Sequence, residues 1–430
     1  MTDAFGGELP DPNDPAAMSA FFSQMQQMFN AAGPTQGPVN WPLARRVAQH
    51  VLTGDGSGSD VTLAETAEIE QAPTSAQREA VEEALRLADL WLEPVSTFPS
   101  GLSSTAAWTR GQWLDETEQT WHRLFDPVAA KVVEAMRTVL PAELEEGVPP
   151  ELLDQITSSL GGLSAAFSQI GGAVFGTQVG QALGTLASEV LTSTDIGLPL
   201  GSTGAAALLP TNLAEFGEGL ELPLDEVRLY VALREVAHHR LYGHVPWLRS
   251  HVLDAVTAYA RGIHVDRDAF TEAVERMRDS IDPEDPSSAQ MVLSDNIFRP
   301  AATPEQEAAL SRLETALALI EGWVAHVVDS VAGERLPAAA ALSETFRRRR
   351  AAGGPAEQTF ASLVGLELRP RRSREAGTLW AELEKAKGVD GRDGLWAHPD
   401  LLPDAEDLSD PVGFAAREND GSLPGFDELE

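Results

Sequence analysis

The 430-residue chain contains no cysteine. Disulfides, thiolate metal sites and cysteine nucleophiles are therefore excluded, and any metal would have to be held by His, Asp and Glu. Basic residues are scarce: 31 Lys and Arg stand against 66 Asp and Glu, a formal net charge of −35. A chain this acidic is repelled by phosphate backbones and anionic lipid, so neither nucleic acid nor membrane is an expected partner. The opening MTDAFGGELPDPNDPAAM has no basic start and no apolar run, so no secretory signal is expected and a cytoplasmic location is. Gln155 to Ser188 lacks any charge, yet its many Ser, Thr and Gln residues set it apart from a span of about 20 mainly apolar residues. Also missing are G-x-S-x-G, G-x-G-x-x-G after a strand, and a GK[ST] phosphate loop.

Apolar residues make up 43% of the chain, enough for a large core. Four regions are expected. Residues 1–37, rich in Pro, Gly, Asp and Asn, read as a disordered segment with one amphipathic piece from Met18 to Ala32. Residues 38–160 read as a helical N-terminal domain and 161–400 as a second helical domain carrying the candidate site. Residues 401–430, with nine acids and one base (Arg417), read as an acidic disordered tail.

The fold class expected is mainly α, with at most a small β element near 196–209. Helices are expected over 41–52, 75–92, 108–140, 224–242, 246–261, 266–281, 304–332, 338–351, 355–364 and 372–386. Short strands are placed at 196–200 and 205–209. Gly172, Gly176, Gly180 and Gly184 recur every fourth residue and form one helical ridge. Glycine costs about 1 kcal/mol relative to alanine in a helix, so the ridge predicts close approach of another helix backbone.

Five of the nine histidines lie between His238 and His264. The densest stretch holds Arg234-Glu235-Val236-Ala237-His238-His239. In a helical His-Glu-x-x-His motif, two histidines one turn apart bind zinc and the Glu activates the metal-bound water. Here Glu235 and His238 stand in those places, and Arg234 replaces the first histidine. Arginine offers no lone pair to a metal. A second helix, ALALIEGWVAHVVD (316–329), carries one acid, Glu321, inside an apolar run. Such a carboxylate has to be paired, metal-bound or protonated if buried, which makes Glu321 a candidate partner for Arg234 or for a metal. A bend at Gly322 that exposes Glu321 is the other reading.

The pieces REVAHHRLYGHVPWLR (234–249), ALIEGWVAHVVD (318–329), FRRRRAAGGPAEQTFASLVGLELRPRR (346–372) and LWAHPDLLP (395–403) resemble the zincin-like proteins of actinobacteria, named zinc-dependent metalloproteases or hydrolases. The resemblance spans roughly 38–412. It implies a zincin-like helical fold, a peptide or protein substrate, and zinc as cofactor. It also implies Glu235 as general base, His238 as zinc ligand and Glu321 as the acidic ligand from a later helix. Arg234 departs from that pattern.

Three readings stay open. Zinc is bound by His238, Glu321 and a further His, of which His239 is nearest, although adjacent helical residues point about 100° apart. A variant uses Glu235 and His239, which share a helix face. Alternatively Arg234 sits in place of the metal, paired with Glu321, and the chain is a non-catalytic pseudo-peptidase kept as an interaction or scaffold protein. Or the histidines are structural. The basic island Arg347 to Arg350, with Arg369, Arg371, Arg372 and Arg374, is expected to pair with the protein's own acids, the tail among them, in preference to a phosphate or nucleic acid.

Overall fold

A computed structural model describes residues 37–53, 70–147, 163–261, 303–351, 359–360, 363 and 372–417. Among these the chain forms eleven α-helices and one two-stranded sheet, so the mainly α class holds. The expectations for 1–36, 266–281 and 418–430 lie outside the described residues, as does most of 355–364.

Helix α1 (Trp41–Leu52) is capped by the Asn40 side chain, which accepts from the Leu43 amide. Helix α2 (Ser75–Leu92) starts in a capping box in which Thr74 and Gln77 satisfy each other's amides. Strand β1 (Ser104–Ala107) leads into α3 (Arg110–Gly147). Then come α4 (Leu163–Glu189), β2 (Ala205–Leu208), α5 (Pro210–Glu218), α6 (Leu224–His244) and α7 (Leu248–Arg261). The long helix α8 (Pro304–Ala332) opens on a second capping box, Thr303 with Gln306. The last helices are α9 (Ala339–Ala351), α10 (Ser373–Asp393), kinked at Gly388, and α11 (Pro411–Ala416).

The glycine ridge on α4 meets α1. A Cβ on Gly176 would lie 2.7 Å from the Asn40 carbonyl oxygen, and one on Gly184 would lie 2.8 Å from Val51 Cβ. At Gly180 an added Cβ would run into the Ala44 carbonyl and lie 2.7 Å from Val47 Cβ. The two helix backbones can touch only because these positions have no side chain, which is the packing the ridge predicts.

The expected strand at 205–209 is present as β2, but that at 196–200 is a buried turn. The partner of β2 was not anticipated: it is β1, paired parallel with Ser104 opposite Ala205 and Ala107 opposite Leu208. Parallel partners are joined by long connections, so no local signal announces them. The Gly- and Pro-rich stretch 195–223 also hides helix α5, started by Pro210 at its first position.

One contiguous hydrophobic core takes in residues from Val39 to Ala415. Helices α6 and α8 are its middle. Fourteen consecutive-to-near residues of α6 are buried, including Arg234, Glu235, His238, His239 and Arg240. Helix α8 is long and apolar enough to cross a membrane by composition, but it is largely buried here against α6, α7 and α10. Gly322 lets α10 approach: a Cβ there would lie 2.7 Å from the Gly377 amide nitrogen. Residues 401–417, expected to be part of a disordered tail, are folded: α11 packs on α10, and Arg372 donates to the Ala405 carbonyl and to Ser409 Oγ (2.8 Å). Leu408 and Ala415 supply the apolar anchors that the acidic composition masked.

Candidate functional site

Helix α6 has no apolar stripe, because it is buried nearly all round. Its polar residues are therefore inside the protein and must each find a partner. Arg240 bonds Asp89, Glu93 and the Phe98 carbonyl, and the motif residues sort into two further groups on different sides of the helix, as the 100° step between neighbours requires.

The first group is centred on Glu321. Arg234 Nη2 donates to Glu321 Oε2 at 2.6 Å, and its guanidinium lies over the Phe346 ring, 4.9 Å from the centroid. Arg350, from the last turn of α9, places Nη2 2.9 Å from Glu321 Oε1. His238 Nε2 is 3.3 Å from that same oxygen, and His238 Nδ1 is 2.8 Å from the Arg234 carbonyl oxygen, to which it donates. Gly197, at φ +76°, presses on the group from the loop side. A Cβ there would lie 3.1 Å from Glu321 Oε1, and the left-handed backbone itself favours glycine. Tyr242 Oη donates to the Gly197 carbonyl at 2.7 Å and holds the turn in place. Glu321 is therefore neither exposed nor at a bend. Burial pushes its carboxyl up, but Arg350, Arg234 and the His238 hydrogen bond together hold it far below the usual carboxylate range.

The second group is centred on Glu235, which has no exposed surface. Its Oε1 accepts from Ser193 Oγ and from the Ala207 amide at 3.1 Å. Its Oε2 accepts from the Thr194 amide at 3.2 Å and from Thr194 Oγ1 at 2.5 Å. His239 Nε2 lies 3.2 Å from Oε1 and 3.2 Å from Ser193 Oγ. Burial raises the Glu235 carboxyl, but the charge and hydrogen bond of His239 and the hydrogen bonds of Ser193 and Thr194 outweigh it and leave the group at about 2.

The loop 191–197 belongs to both groups. Ser193 and Thr194 hold Glu235, and Gly197 faces Glu321. The Asp195 carboxylate accepts from the Leu191 amide at 2.9 Å and pairs with Arg349 at 3.0 Å, while Arg350 donates to the Asp195 carbonyl. The basic island thus pairs with internal acids, Arg349 with Asp195 and Arg350 with Glu321, and on the surface Arg347 with Asp329 and Arg348 with Glu344. These are not the acids of the tail.

Of the residues singled out in the sequence, Arg234, His238 and Glu321 come together. Glu235 and His239 form the adjacent group, so His239, considered as a further metal ligand, faces Glu235 and Ser193. His244 Nδ1 donates to the Arg240 carbonyl oxygen at 3.0 Å and its ring stacks near Phe98, and His251 packs edge-on against Trp247. Sequence reading did not find Ser193, Thr194, Asp195, Gly197 or Tyr242. Arg350 was visible only as part of the basic island.

Zinc, which the resemblance implies, can be tested against this donor set. His238 has a ligand's orientation, with Nδ1 tied to a carbonyl and Nε2 aimed at a carboxylate. The rest does not fit. The first ligand position is a guanidinium, and both Glu321 oxygens already face arginines. With Arg234, Arg349 and Arg350 against Glu321 and Asp195, the group carries 3 − 2 = +1 before His238 is counted, and a dication would add to a positive site. Among the described residues there is no group of three or more His, Asp or Glu side chains that could hold a metal ion.

A mainly helical protein with a buried Glu-x-x-His helix facing an acid on a later helix is the class these features define. The profile of the zincin-like metallopeptidase family matches residues 39–415, and the chain belongs to that family. Among solved structures, a protein of Chloroflexus aurantiacus with a novel fold, for which hydrolase is the suggested assignment, matches with a TM-score of 0.55 and 21% identity. The match covers 88% of this chain and 97% of that one and speaks for the fold. No curated protein matches the chain.

Proposed function

We propose that this protein is a metal-free member of the zincin-like metallopeptidase family that acts as an interaction or scaffold protein. The observation that carries this reading is the Arg234–Glu321 contact at 2.6 Å, buried on both sides. A guanidinium there takes the electrostatic place of a cation, and it satisfies the buried carboxylate that a metal would otherwise have to satisfy. Glu235, in the general base position, supports the same reading. Every lone-pair direction of its carboxylate is directed at a donor of the protein, so it has no free acceptor for a water to be activated. The partner class that the family suggests is a peptide or another protein.

A second reading keeps the family's hydrolytic chemistry. It is favoured by one feature, the ligand-like orientation of His238 toward Glu321 Oε1. Metal analysis separates the two. Protein purified without chelator is expected to contain far less than one zinc per chain and to show no thermal shift on adding zinc. One zinc per chain, lost on His238→Ala or Glu321→Ala, would overturn the metal-free reading.

A further inference from the structure

The two oxygens of Glu321 are not held by the same arginine. Arg234 takes Oε2. The oxygen that faces His238 Nε2 is Oε1, and Arg350 sits on it at 2.9 Å. Any cation bridging His238 and Glu321 would therefore have to displace Arg350, whatever residue stands at position 234. Arg350 is well anchored for this role. Its Nη2 also donates to the Asp195 carbonyl, and Asp195 is fixed by Arg349 and the Leu191 amide. Its helix is seated through Phe346, which packs on Tyr230 and Phe216 with ring centroids 5.7 and 5.6 Å away.

We propose that the metal position of this fold is closed by two arginines with separate duties: Arg234 removes the first ligand, and Arg350 occupies the ligand oxygen that His238 faces. Arg350 is thus a second internal counter-cation, contributed by α9 rather than by the motif helix. This rests on the metal-free reading above, and it adds that reversing the motif alone does not open the site.

The test compares zinc affinity, by chelator competition and by the visible spectrum of bound cobalt(II), in Arg234→His, Arg234→His/Arg350→Gln and Arg234→His/Arg350→Lys. The Arg350→Gln double variant is expected to bind zinc at least about tenfold more tightly than Arg234→His alone, because a like charge beside the metal is gone. The Arg350→Lys double variant, which keeps that charge, is expected to bind as weakly as Arg234→His. Adding His238→Ala to the Arg350→Gln double variant is expected to abolish binding. Equal affinity of Arg234→His and the Arg350→Gln double variant overturns the proposal, as does absence of zinc binding in the folded Arg350→Gln double variant. If that variant folds only when zinc is present, the proposal is supported; if it folds in neither condition, it is overturned. Stoichiometric zinc in the wild type would instead sink the metal-free reading, so the two failures are distinct.

Discussion

Glu235→Gln removes one charge and one acceptor from a position where five donors converge. In an active metallopeptidase this substitution is aimed at the general base, and its cost to stability is incidental. Here the cost is the main effect. The folded carboxyl lies at about 2 against an ordinary value of 4.5, and this gap corresponds to about 3 kcal/mol of stability at neutral pH. Because the folded value is the lower one, that contribution is complete above about pH 4.5 and is lost as the pH falls toward 2. Hydrogen bonding gives a similar figure independently. The hydroxyls of Ser193 and Thr194 can rotate to accept from an amide NH2, but the Thr194 and Ala207 N–H groups cannot. One of them would be left facing a donor, at about 1–3 kcal/mol, and the surviving bonds would lose their charge assistance. Urea denaturation of Glu235→Gln at pH 7 should therefore show a loss of about 3 kcal/mol, and a smaller loss at pH 3. A variant within about 0.5 kcal/mol of wild type at pH 7 would refute the assignment of Glu235 as a buried hub and would leave its carboxylate available for chemistry.

Two further outcomes test the framework around the site. Gly180→Ala is expected to destabilise by about 2 kcal/mol in denaturant titration, with loss of amide protection in α1, because the new methyl meets the Ala44 carbonyl and Val47 while the gain in helix propensity is only about 1 kcal/mol; an unchanged or raised midpoint would contradict the close α1–α4 contact. Arg240→Met removes a buried guanidinium that bonds Asp89 (2.7 Å), Glu93 (2.8 Å) and the Phe98 carbonyl (2.6 Å), and it should cost about 3 kcal/mol in urea, less than a fully buried pair because Glu93 is largely exposed; a cost under about 1 kcal/mol would show that these bonds are replaced by water.

Local structure was legible in the chain where one physical rule dominates. The helices 41–52, 75–92 and 304–332 have the expected bounds, since Asn40, Thr74 and Thr303 cap them and apolar residues recur at helical spacing. The glycine ridge announced a helix contact because four glycines in register have no other compensation. The pairing of Arg234 with Glu321 was one of the open alternatives, since a buried acid needs a counter-charge and Arg234 cannot bind metal. Beyond this the sequence was silent for identifiable reasons. The parallel pairing of β1 with β2 joins segments 101 positions apart, and nothing local encodes it. Helix α6 was expected as a helix over 224–242, but the sequence did not show that it is buried nearly all round, so only tertiary packing decided that Glu235 and Glu321 would face different partners.

The chain by itself determined which chemistries are open: no thiol, no phosphate loop, a Glu and a His one turn apart, and an arginine where the first ligand of a zinc motif would stand. Side-chain identity sets those limits before any folding. The tertiary structure decided where each charge is balanced. It brought loop 191–197 onto Glu235 and the end of α9 onto Glu321, which fills the acceptors of both carboxylates with donors from segments remote in sequence. A carboxylate's role depends on whether its lone pairs are free, and that depends on which groups the fold packs against it.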